Sequence, residues 1–174
     1  MKRKHRGDSG FTDLYCAGKV LKDDIRCEVC GTLDELSAFL GLARSTSRSK
    51  KIQTVIEHIQ KDLFVIGTEI ATNKEKIPHL KERIDKGHID SLESIIDSFG
   101  KNYPQSFVLF GREVSSSLLN VARTIARRLE RRLVTLKRKR MLINDNIIVY
   151  TNRLSDLIFV LSVYAQRGGK AWRG

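Results

Sequence analysis

The sequence predicts an all-α protein, a five-helix bundle preceded by a short ordered N-terminal loop. Three observations carry that expectation. Apolar residues recur at three- and four-residue spacing through five separate stretches. Only two prolines, Pro78 and Pro104, occur in 174 residues, and the evenly spaced turns of a β-sandwich are missing. The connections are short enough for neighbouring helices to pack antiparallel. A chain of this length forms one domain with a sizeable core. Its expected parts are a loop over 1–22, a helical bundle over 23–167 and a short tail over 168–174.

Residues 1–22 are rich in glycine and polar side chains and show no helical period, so they read as an ordered loop or short extended segment, with no convincing sheet in the chain. Asp23 and Asp24 can cap a helix running to about residue 45, with Leu33, Leu36, Phe39, Leu40 and Leu42 at helical spacing. Residues 51–72 form the next helix, on a stripe of Ile52, Val55, Ile56, Ile59, Leu63, Ile66 and Ile70. A charged connection with Pro78 and Gly87 leads to a shorter helix over about 88–99. GKNYPQS and the apolar run FVLFG (107–111) then feed a long helix over about 112–139. After MLIND, with Asn144 or Asp145 as cap, a last helix covers about 145–167.

Hydrophobic residues make up 41% of the chain and charged residues 30%, which suits a globular protein and argues against wholesale disorder. No apolar run approaches the ~20 residues that cross a bilayer, and the basic N-terminus precedes no signal-peptide core. The expectation is a cytoplasmic protein with no membrane partner. Cys16, Cys27 and Cys30 are too few for a disulfide scaffold. The Cys27–Cys30 pair lacks the second half of a zinc site, so no metal ligands are assigned.

The net charge of +12 is segregated. Residues 1–6 carry four basic groups, and residues 123–140 carry nine against Glu130 alone; the remainder is balanced at 19 of each sign. Segregated positive charge points to an anionic partner. Within VARTIARRLERR (121–132), Arg123, Arg127 and Arg131 lie only about 40° apart around a helix, and Arg128 and Arg132 continue the row round one side. Leu118, Val121, Ile125, Leu129, Leu133 and Leu136 are expected on the buried face.

Three further constellations can carry chemistry. In RGDSGFTDL (6–14), Gly7 and Gly10 can turn backbone N–H groups toward an anion, with Ser9 and Thr12 as hydroxyl donors and Arg6 and Lys22 as cations. It is not a P-loop, because the G-x-x-x-x-G-K-[ST] pattern is absent. In GTLDEL (31–36), Asp34 and Glu35 lie among core candidates, so at least one carboxylate needs a partner, most simply an arginine. In TNRLSDLIFVL (151–161), Asn152, Ser155 and Asp156 interrupt a very apolar helix and mark either an interhelical network or a ligand edge.

Taken together and in order, these stretches resemble the PduO-type ATP:cob(I)alamin adenosyltransferases. The G-D-x-G-x-T loop is present as Gly7, Asp8, Gly10 and Thr12, and the lysine before two acids is Lys22. GTLDEL, the arginine signature at 121–132 and N-R-L-S-D at 152–156 are intact. The resemblance implies a homotrimer with active sites between subunits, transferring the 5′-deoxyadenosyl group of ATP to cob(I)alamin cobalt. Mg²⁺ would accompany the nucleotide, and a reductase is a possible partner. Gly7, Asp8, Gly10, Thr12 and Lys22 would hold the polyphosphate. Arg127, Arg128, Glu130, Arg131 and Asn152 would surround the nucleotide. Asp34 would pair with Arg123 across the boundary, so that Arg127, Arg123 and Asp34 carry catalysis. Phe107 would sit against the corrin.

Two stretches depart from the family pattern. Lys4-His5-Arg6 replaces T-R-T before Gly7-Asp8, which removes two hydroxyls and adds charge. FVLFGR replaces F-x-L-P-G-G, placing Phe110 at the proline and Arg112 at the second glycine. Phe110 reads as either a second aromatic wall or a core residue. The alternatives to this reading are a basic nucleic-acid-binding bundle and an inactive trimeric relative. Nucleic-acid binding has little support, because aromatic residues are 7% of the chain and are not interleaved with the basic runs.

Overall fold

The computed structural model describes residues 7–99 and 108–168. Two short strands, β1 (Phe11–Leu14) and β2 (Gly18–Leu21), pair antiparallel with Phe11 opposite Leu21 and Thr12 opposite Val20. Five helices follow: α1 (Ile25–Thr46), α2 (Lys50–Ile70), α3 (Lys86–Phe99), α4 (Val114–Arg138) and α5 (Asn146–Gln166). A 3₁₀ turn, Ile77–His79, lies in the connection from α2 to α3, with Pro78 inside it. Helix α4 packs between α5 and α1, while α2 lies against α1 and α3 against α5.

The all-α bundle is therefore present, and the hairpin corrects the expectation of a sheetless N-terminal loop. Each strand has four residues, too few to display an alternation, and the ends depend on backbone conformations instead. Gly10 and Gly18 have φ of +78° and +77°, the left-handed region that glycine enters without a Cβ clash. The hairpin passes straight into α1. The Asp24 backbone N–H donates to Leu21 O at 3.0 Å, and the Asp24 carboxylate accepts from the Arg26 N–H at 2.8 Å. Arg26 also grips that carboxylate through Nε at 3.1 Å and Nη2 at 2.8 Å.

The core is assembled from one stripe of each helix. Leu36 and Leu40 of α1, Ile52, Ile56 and Ile59 of α2, and Leu92 of α3 are fully buried. So are Leu119, Leu129 and Leu133 of α4 and Leu154, Leu157 and Leu161 of α5. Burying a side chain of this size contributes about 1.5–3 kcal/mol. Two expected core positions are exposed: Leu42 at 52% and Val121 at 39%. Val121 lies about 60° round the helix from Leu118, on the flank shared with Arg128 and Arg132. Phe39 and Leu118 are only partly buried.

Helix α5 also corrects the reading of its hydropathy. Its 21 residues, with a mean hydropathy of 1.3 in the most apolar window, meet the length and composition of a membrane span. Over half of that window is buried against the other helices.

Two buried carboxylates bind the bundle together. Asp62 of α2 accepts from the Tyr150 hydroxyl of α5 at 2.7 Å, with His58 Nε2 3.6 Å away. Glu69 accepts from the Ile84 N–H at 2.6 Å and from Asn144 Nδ2 at 3.0 Å. Asn144 Nδ2 also donates to Ile84 O at 2.7 Å, so one amide ties the α4–α5 turn to the α2–α3 connection. At the start of α5, Asp145 occupies the cap position but makes no capping hydrogen bond; Asn144 Oδ1 accepts from the Asn146 N–H instead.

Candidate functional site

The glycine-rich turn comes together around one lysine. Gly10 N–H donates to Gly7 O at 3.3 Å, and Lys22 N–H donates to Gly10 O at 2.9 Å. The Lys22 ammonium stands over Gly7: a Cβ added there would lie 3.1 Å from Nζ. Any larger residue at position 7 would displace the cation. Asp8 and Ser9 are exposed beside it, and Thr12 is half-buried in β1. Gly7, Asp8, Gly10, Thr12 and Lys22 thus form one local cluster, with the cation over a backbone turn.

Helix α4 separates its arginines into two groups. Arg128 pairs with Glu35 of α1, and Arg132 pairs with Glu28 at 3.0 Å. These two tie α4 to α1, so the acids of α1 neutralise that flank. On the adjoining face, Arg123 Nε donates to Asn120 Oδ1 at 3.0 Å, and its guanidinium lies 5.9 Å from the Phe159 ring centroid. Arg131 Nη1 donates to the Arg127 carbonyl at 3.0 Å. Among the described residues, Arg123, Arg127, Arg131 and Glu130 form no ion pair. These three guanidiniums on one face are left without a carboxylate among the described residues.

Of the expected carboxylates, Glu35 therefore has its arginine within the chain, and Asp34 has none among the described residues. Asp34 is exposed and lines a groove of about 500 Å³ between α1 and α2, with Tyr15, Cys30, Leu63, Phe64 and Gly67. None of the α4 arginines borders this groove. Phe64, 78% exposed, and Tyr15, 63% exposed, make it apolar around a single acid. The α5 polar motif divides as well. Ser155 is buried and its hydroxyl donates to Asn152 O at 3.0 Å, whereas Asn152 itself is exposed.

The segment before α4 is fastened to α5. Gln166 Nε2 donates to Leu109 O at 2.6 Å, and the Phe110 ring meets Phe159 edge to face, 6.4 Å between centroids. Phe107, Lys4, His5 and Arg6 lie outside the described residues. Burial pushes the Cys30 thiol up to about 11 and raises that of Cys27, so these two side chains stay protonated thiols. Among the described residues, no group of three His, Cys, Asp or Glu side chains converges on a metal position.

Glu28, Glu35, Phe110 and Phe159 shape this site although sequence reasoning gave none of them a role with a named partner. The seven-residue spacing of the two acids on α1 was the available signal for the first pair. Phe159 lies inside an apolar run and gave none.

A sequence model described as cobalamin adenosyltransferase matches residues 3–165. The chain belongs to the cobalamin adenosyltransferase family. A corrinoid adenosyltransferase of Citrobacter freundii is 39% identical over 161 residues, covering 90% of this chain and 89% of that protein. The corrinoid adenosyltransferase PduO of Salmonella typhimurium is 40% identical over 159 residues, and this chain spans 47% of its length. The fold also matches a variant PduO-type ATP:corrinoid adenosyltransferase from Lactobacillus reuteri complexed with cobalamin and ATP. That match has a TM-score of 0.80 and 32% identity, covering 93% of this chain and 89% of the other.

Proposed function

We propose that the chain transfers the 5′-deoxyadenosyl group of ATP to the cobalt of a reduced corrinoid and releases triphosphate. The observation that carries this reading is the α4 face bearing Arg123, Arg127 and Arg131 without a carboxylate, in a chain of this family. Cobalt(I) brings the electron pair that forms the Co–C bond. The C5′–O bond breaks, and its electrons leave on the triphosphate. That leaving group is a dense anion, so catalysis is the work of fixed cations and backbone donors placed where its charge grows. Arg127 and Arg131 stand on the free face for it, with Arg128, Glu130 and Asn152 at the edges of the same nucleotide position.

Gly7, Asp8, Gly10, Thr12 and Lys22 hold the polyphosphate from the hairpin side. Mg²⁺ would travel with the phosphates and offset their charge, with Asp8 the carboxylate of the turn that would face it. No protein nucleophile or general base is required, and orientation of the 5′ carbon for in-line attack supplies the rest. Phe107 would face the corrin. Reaching cobalt(I) needs an electron donor, so a reductase is the partner this chemistry calls for, and the corrinoid itself performs the bond-making.

The assembly proposed is a homotrimer. Asp34 lies in an apolar groove without an ion partner among the described residues, and a neighbour's Arg123 is the complementary charge. A nucleic-acid reading is weaker than the composition suggests, because Arg128, Arg132 and Lys137 are paired with Glu35, Glu28 and Asp145. The test is anaerobic incubation with chemically reduced cobalamin, ATP and Mg²⁺, followed by the corrin absorbance. Formation of adenosylcobalamin with one triphosphate per cobalt is expected. Absence of turnover, with salt-sensitive oligonucleotide binding that ATP does not displace, would overturn it.

A further inference from the structure

We propose that Phe110 is a positioning residue, holding the segment that enters α4 and the Arg123 guanidinium in one fixed relation through the Phe159 ring. The proposal rests on the adenosyl-transfer reading above and assigns a role to a side chain that departs from the family pattern.

Two groups meet the same ring. Phe110 contacts Phe159 at an interplanar angle of 80° and 6.4 Å between centroids, the edge-to-face arrangement that ring quadrupoles favour. Arg123 lies 5.9 Å from the centroid of that ring, within the range of a cation–π contact. The tilt of Phe159 therefore bears on where the guanidinium rests, and Phe110 is one of the contacts that hold that tilt. Arg123 is held from its other side by Asn120. The segment has its own second anchor, the Gln166 donation to Leu109 O, and Gln166 Oε1 in turn accepts from the Ser116 hydroxyl at 3.4 Å. Without Phe110 the described part of the segment keeps the backbone tie to Gln166, and Phe159 loses one of the contacts that orient it. A proline at this position makes no such ring contact. In this chain a residue of the segment that enters α4 is thereby coupled to the arginine proposed to meet a neighbour's Asp34.

The experiment is a cycle of Phe110→Ala, Phe110→Tyr and Arg123→Lys, with kcat and both KM values measured under anaerobic conditions. Phe110→Ala should lower kcat about ten- to a hundredfold, the cost of a displaced catalytic group. The KM for ATP should change by less than about twofold, since the phosphate contacts lie elsewhere. Phe110→Tyr, which keeps the ring, should restore kcat. In the Arg123→Lys background the Phe110→Ala effect should vanish, because the guanidinium it positions is gone. Equal losses in both backgrounds, failure of Phe110→Tyr to rescue, or unchanged kcat in Phe110→Ala would each overturn the proposal. Limited trypsin cleavage after the exposed Arg112 gives a readout without turnover. It should accelerate severalfold in Phe110→Ala and stay at the wild-type rate in Phe110→Tyr; an unchanged rate in Phe110→Ala counts against the anchor. A wild-type chain that fails to adenosylate corrinoid sinks the functional reading instead, and the cleavage rates then decide the anchor alone.

Discussion

Tyr150 is fully buried, and the acceptor for its hydroxyl is the Asp62 carboxylate on a different helix. Burial, reinforced by that carboxylate, pushes the phenol far above its ordinary value, so it remains a donor at any working pH. Removing the donor would strand a carboxylate in the core, because Asp62 is only 5% exposed and His58 is farther away. Tyr150→Phe should therefore cost about 1–3 kcal/mol, the penalty of an unsatisfied buried polar group. Urea denaturation would measure it, and turnover of the folded fraction should be unchanged, since neither residue belongs to the nucleotide or corrin side. The same contrast separates the α4 arginines. Arg128 and Arg132 are partly exposed and paired, and such pairs are worth about 0–1 kcal/mol each. Their loss is tolerable to the fold, and on the proposed reading the loss of Arg127 or Arg131 falls on the ligand instead.

At the scale of elements, the junction between hairpin and α1 positions the glycine turn. The hydrogen bonds from Arg26 hold the Asp24 carboxyl below its ordinary value of 3.8. A carboxyl depressed in the folded state contributes stability that is present above its unfolded pKa and is lost as pH falls below about 3.8. Asp24→Asn should thus melt below the wild type at pH 7, and the gap should narrow at pH 3. Thermal unfolding at the two values checks the sign. A gap that widens in acid would place the contribution elsewhere. The five helices were legible because each shows a long apolar stripe, and their observed ends fall within about two residues of those expected, the usual ambiguity of helix boundaries. The hairpin was not legible, since four-residue strands such as Gly18–Leu21 carry no periodic signal and are set by turn geometry. Val121 was misplaced for a related reason: on a helix so rich in arginine, the edge of the apolar stripe depends on which arginines find acids on α1. Partners of that kind, Glu28 and Glu35, belong to tertiary structure and cannot be read along the chain.

At the scale of the whole molecule, the groove between α1 and α2 exposes Phe64, Tyr15 and Asp34 together. A single chain that leaves a large apolar side chain 78% exposed beside an acid without an ion pair is complementary to a surface carrying a cation. Asp34→Asn should weaken the proposed trimer and lower activity together. Sedimentation velocity across a dilution series reads the first, and the corrin absorbance assay reads the second. An unchanged trimer with full activity would exclude the pairing with a neighbour's Arg123.

The central claim is that the free face of α4 stabilises triphosphate as it departs, and it is tested most directly by turnover of Arg127→Ala at saturating ATP and reduced cobalamin. The account predicts a kcat about 10²- to 10³-fold below that of the wild type, the usual cost of deleting one preorganised charge donor. It also predicts a melting temperature close to that of the wild type, because Arg127 is exposed and forms no ion pair among the described residues. A variant that turns over at the wild-type rate would contradict it.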